Sequence, residues 1–100
     1  MNIESKEKNG SYLGILTGWI DSAEASQFLE DMKPLMANAN KSIELDCSKL
    51  EYICSLGLRG VLQLKKESSA KGGSIVLTHV EGEVQKILKI TGFDKLLDIR

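Results

Sequence analysis

The sequence predicts an α/β fold, a single domain with a mixed β-sheet and helices mainly on one face. Three observations carry that expectation: a hairpin signal opens the chain, strand and helix patterns alternate after it, and apolar residues make up 42% of 100 residues. Strand–helix–strand alternation implies parallel pairing through right-handed crossovers, and a hairpin adds an antiparallel strand. The length suits one unit, residues 1–100, near the lower end of the range in which a single core holds unaided.

The hairpin is read from residues 3–8, the Asn9-Gly10 turn and residues 12–19, because Asn-Gly is the strongest short hairpin signal. Asp21 and Glu24 then stand in capping-box relation, and Ala25, Phe28, Leu29, Met32 and Met36 follow at helical spacing. A first helix therefore starts at about Ser22. Pro34 should kink or end it near Lys33, since proline removes a ladder donor and clashes with the preceding turn.

Ile43, Leu45 and Cys47 alternate with Ser42, Glu44 and Asp46, the mark of a strand with one covered face. Leu58, Val61, Leu62 and Lys65 form the stripe of a second helix over residues 56–71, before Gly72-Gly73. SIVLT at 74–78 reads as a short buried strand. Val80, Val84, Ile87 and Leu88 mark a third helix closed by Gly92, and residues 96–99 a final strand or extended end. The order is ββαβαβα with a short tail.

Thirteen basic residues against 14 acidic ones leave a net charge of −1, without the positive surplus that drives nucleic-acid binding. No apolar run approaches the roughly 20 residues that cross a bilayer. The opening MNIESKEKNGS lacks the apolar segment of a secretory signal, so a cytoplasmic location without membrane insertion is expected. Cys47 and Cys54 have no partner ligands at metal spacing; both are read as reduced thiols, and neither metal nor cofactor is expected.

Chemistry concentrates at LEYICSLGLRG, residues 50–60. Ser55 falls where a strand ends and a helix begins. A hydroxyl there serves as a helix N-cap, and the same amide-rich end can seat a phosphate attached to the serine. Gly57 and Gly60 lie in or near the first turn, at a cost to helix stability of up to about 1 kcal/mol each. Close packing is the expected reason at Gly60, and access to Ser55 at Gly57. No GxxxxGK(S/T) pattern supports a nucleotide-phosphate enzyme. Cys54 with the sole histidine, His79, would make a thiol hydrolase only if the two met, and no catalytic residue is assigned. Trp19, the sole tryptophan, is read either as core cover or as an interface anchor.

LTGWID at 16–21, the strand IELDCSKLEYI, the junction CSLGLRGVLQLKKESSAKGGSIVL and the closing VQKILKITGFDKLLDI together resemble the STAS domain of bacterial anti-sigma factor antagonists. The resemblance covers nearly the whole chain. It implies a non-enzymatic protein that binds a serine-kinase anti-sigma factor and releases a sigma factor, with phosphorylation abolishing binding and a serine phosphatase restoring it. In the family's D-S-[ST]-G-L motif the phospho-acceptor follows the aspartate, which implies Ser55. Gly57 and Leu58 match the closing pair, and Asp21 matches an aspartate of the partner surface, where Trp19, Cys54 and Leu56 are also expected. Two positions depart: Cys54 stands in place of the aspartate and Leu56 in place of a small hydroxyl residue. The resemblance also allows a constitutive module of a stress-signalling scaffold or a membrane transporter, not switched by phosphate.

Overall fold

Asn9 and Gly10 adopt φ angles of 51° and 83°, so the chain reverses in two residues and β1 (Ile3–Lys8) returns as β2 (Ser11–Ile20). The structure, a computed structural model, describes residues 3–100 and, at Lys8, the backbone alone. Met1 and Asn2, which begin both the expected domain and the stretch read for a secretory signal, lie outside the described residues.

The Asp21 carboxylate accepts the Glu24 N–H at 3.1 Å and starts α1 (Ser22–Asp31). The expected break before Pro34 is a restart: α1 stops at Asp31, and α2 (Lys33–Ala37) begins with the proline in its first turn, where the missing N–H has no ladder partner to lose. β3 (Ser42–Ile53) leads into α3 (Ser55–Ala70), then β4 (Ser74–Thr78) and α4 (Gly82–Thr91), which ends at left-handed Gly92; Val80, expected to mark this helix, lies before its cap, Glu81, and packs on the core from the loop. Sheet order is β1-β2-β3-β4. β1 is antiparallel to β2 and the other neighbours are parallel, so the sheet is mixed as expected.

Leu16, Ile20, Ile43, Leu45, Ile53 and Leu77 bury one face of the sheet with Phe28, Leu35, Leu58, Val61, Leu64 and Leu88 of the helices. Burial of each such side chain is worth about 1.5–3 kcal/mol. Positions of the other parity, among them Leu13, Ile15, Glu44, Asp46 and Val76, are only half-buried. The helices therefore lie mainly on one face.

β3 outruns its period-two pattern. Ile15 pairs with Asp46 but Ile20 with Ile53, with register shifts between Ile15 and Thr17 and between Gly18 and Trp19. β3 absorbs the extra residues as bulges, so its buried positions go from Cys47 to Leu50 to Ile53 in steps of three. Gly18, on β2 beside the second irregularity, takes a left-handed φ of 83°, which glycine adopts without steric cost.

The tail is a correction in part. A 3₁₀ turn (Phe93–Lys95) precedes it, and its contact with the sheet is one parallel bridge, Leu77 to Ile99, rather than a full strand. Leu77 N–H donates to Asp98 O and Arg100 N–H to Leu77 O, both at 2.8 Å. Among the described residues no helix is long and apolar enough to cross a membrane.

Candidate functional site

The ends of β2 and β3 bring the starts of α1 and α3 together. Cys54 N–H donates to Ile20 O at 2.8 Å, so the residues that follow, Asp21 as the N-cap of α1 and Ser55 as the first residue of α3, meet at the same end of the sheet. Two positive helix ends therefore open side by side, one of them already carrying the Asp21 carboxylate.

Cys54, not Ser55, is the N-cap of α3, which corrects the expected cap. Its backbone is extended (φ −81°, ψ 172°), its carbonyl accepts from Leu58 N–H at 3.0 Å, and its side chain makes no capping bond. The offset follows from the Ile20 bond, which keeps Cys54 in strand-like geometry. Ser55 is the first helical residue, exposed to solvent, and its hydroxyl has no capping duty.

Gly57 is also a correction, since it is buried by packing rather than left open for access. A Cβ built there would lie 2.8 Å from Ile53 Cγ1 and 3.5 Å from Ile20 Cγ2. Gly60 packs as expected, its Cβ position running into the Leu29 side chain. Leu58 belongs to the core and Cys54 is buried, so both support the surface from beneath. Leu56 and Trp19, by contrast, are 45% and 56% exposed. Core cover is thereby excluded for Trp19, which stacks on Tyr52 with ring centroids 4.6 Å apart and planes 20° from parallel. Tyr52 was not legible as a site residue, because the bulges before it break the alternation that would have placed it opposite Trp19.

The structure keeps Cys54 and His79 apart. Thr78 pairs with Asp46, whereas β3 continues to Ile53, so at ~3.3 Å per residue Cys54 lies on the order of 20 Å beyond His79. His79 sits by Asp46 instead. Burial pushes the Asp46 carboxyl up, but Ser48, whose N–H donates at 2.9 Å, and the charges of His79 and Lys49 outweigh it and hold it below the usual range. Burial, and then the Asp46 charge, pushes the Cys47 thiol up to about 12. Both thiols are free. Among the described residues no group of three or more His, Cys, Asp or Glu could hold a metal ion. A hollow of about 620 Å³ lies at the other end of the strands, lined by Ser11, Ser42 and Ser74 among others, and takes no part in this site.

Residues 15–98 match the family described as "Mlab, STAS domain". The chain belongs to the STAS domain family. BtrV of Bordetella bronchiseptica, provisionally named an anti-sigma factor antagonist, is 29% identical over 93 residues, 93% of this chain and 80% of its own. An anti-sigma factor antagonist from Mycobacterium paratuberculosis superposes with a TM-score of 0.84 at 18% identity, over 97% of this chain and 82% of its own. SpoIIAA of Bacillus in its phosphorylated form gives 0.70 at 16% identity, over 98% and 90%. These two likenesses establish the fold. Within that STAS fold, the junction of Cys54, Ser55 and Leu56 lies at the carboxyl ends of the parallel strands β2 and β3.

Proposed function

We propose that residues 1–100 act as one STAS unit in the cytoplasm, an anti-sigma factor antagonist that docks a serine-kinase anti-sigma factor and so frees a sigma factor. The observation that carries this reading is the exposed Ser55 at the first turn of α3, set by the Cys54–Ile20 bond beside the capped start of α1. Trp19 and Leu56 offer exposed apolar knobs at the rim, and aromatic anchors of this kind dominate interface energetics. Asp21 contributes a fixed acid, while Gly57 and Leu58 hold the first turn of α3 against the sheet.

The partner's kinase activity phosphorylates Ser55 and a serine phosphatase reverses it. Phosphate adds about −1.5 to −2 charge next to Asp21 without removing a cap, because the cap is Cys54. Like charge and a desolvated anion at an interface cost several kcal/mol, enough to release the partner. Incubation with the cognate kinase and ATP should add one phosphate at Ser55, seen by mass spectrometry. Phosphate at another residue, or none, overturns the switch.

Cys54 and Leu56 favour a second reading. A thiol supplies no carboxylate to orient the serine hydroxyl, and an exposed leucine suits constitutive docking in a stress-signalling scaffold or a transporter. That reading expects Ser55→Ala to leave partner capture and cellular output unchanged.

A further inference from the structure

We propose that Arg59 is the internal counter-ion of a phosphate on Ser55, a positioning residue that holds the phosphate against α3. The inference rests on the reading of Ser55 as phospho-acceptor. Both residues are exposed on α3, four apart, a spacing that sets side chains on one helix face with Cβ atoms about 5–6 Å from each other. The acid lies N-terminal to the base, the more favourable order.

The local charge balance points the same way. Between Lys49 and Lys65 the one basic residue is Arg59, and none lies between Ser11 and Asp31. Along the segments that meet there, the charged residues nearest the start of α3 are otherwise acidic: Asp21, held in place by its bond to Glu24 N–H, Glu24 itself, and Glu51 near the end of β3. A phosphate there meets fixed negative charge on its α1 side. Arg59 forms no ion pair among the described residues, so its guanidinium can turn to the phosphate without giving up a partner. A planar guanidinium also matches phosphate oxygens two at a time. Phosphorylation then changes the docking surface twice: it adds an anion and withdraws the Arg59 guanidinium from a partner's acidic groups.

The test places phosphoserine at position 55 during synthesis, so that no kinase is needed, and follows the second phosphate ionisation, near pH 6 for a free phosphoserine, by phosphorus NMR at roughly 0.01 M salt. Arg59→Gln should raise that pKa by about 0.3 unit, the shift expected of an exposed i,i+4 pair. Lys66→Gln is the comparison. It removes an exposed cation from the same helix about 16 Å along the axis, so it should raise the pKa by only about 0.1 unit, clearly less than Arg59→Gln. An unchanged pKa in Arg59→Gln, or an equal rise in Lys66→Gln, overturns the pairing. Failure of the cognate kinase to modify Ser55 would sink the switch while leaving this titration result as it stands.

Discussion

Trp19 and Tyr52 are paired across β2 and β3 and stack with ring centroids 4.6 Å apart, although Trp19 remains 56% exposed. The stack fixes a large apolar side chain at the rim of the Ser55 surface, where its conformational freedom is already lost before a partner arrives.

On the proposed docking, Trp19→Ala should weaken anti-sigma factor binding by about 2 kcal/mol or more while lowering fold stability by under about 1.5 kcal/mol. Titration calorimetry with a kinase-type anti-sigma factor and a urea melt separate the two effects. The sole tryptophan also reports docking directly, as a blue-shifted emission when the partner covers it; emission unmoved by saturating partner would place Trp19 outside the interface.

Gly57→Ala and Gly60→Ala should differ. At Gly57 the new methyl meets Ile53 Cγ1, inside a buried side chain, at 2.8 Å, so about 1–3 kcal/mol of strain is expected. At Gly60 the obstacle is the far end of Leu29, which is 44% exposed and can swing outward. Helix propensity then recovers up to about 1 kcal/mol, leaving Gly60→Ala near neutral. Denaturant midpoints of the two variants decide it, and equal losses would contradict the packing described.

Asp21→Ala removes the cap of α1 and should cost about 1 kcal/mol, with Asp21→Asn retaining most of it. For a chain of this size the loss reads as a fall of roughly 4–8 °C in melting temperature.

Cys47 makes stability fall in alkali. Its folded pKa, about 12, lies above the 9.0 of an exposed thiol, so between these values the unfolded chain has lost a proton that the folded chain keeps. The contribution is fully present below pH 9.0 and is lost at up to about 1.4 kcal/mol per pH unit as pH rises toward 12. Cys47→Ala should flatten that slope relative to the native chain in urea melts at pH 8 to 11; identical slopes would argue against a buried thiol.

Much of the fold was legible because its signals are local. The Asn9-Gly10 turn, the Asp21 cap and the apolar stripe of α3 each act within a few residues and stand where they were expected, while the stripe of α4 holds from Val84 on but not at Val80, which precedes the helix. The full length of β3 was hidden by its bulges, whose register only the partner strand β2 reveals. At the site, the junction of strand and helix around Ser55 was visible, but its one-residue frame was not.

By itself, then, the sequence determined the order of elements, the mixed α/β class and the strand-to-helix junction proposed as the site, since periodicity, caps and turns are properties of neighbouring residues. Tertiary structure decided the rest. Cys54 became the cap because its N–H is held by Ile20 from another strand, Gly57 was closed over by Ile53 and Ile20, and Trp19 was left outside on Tyr52. Each of these outcomes depends on what a residue distant in sequence, or displaced by a bulge, brings within contact, and no local pattern encodes that distance.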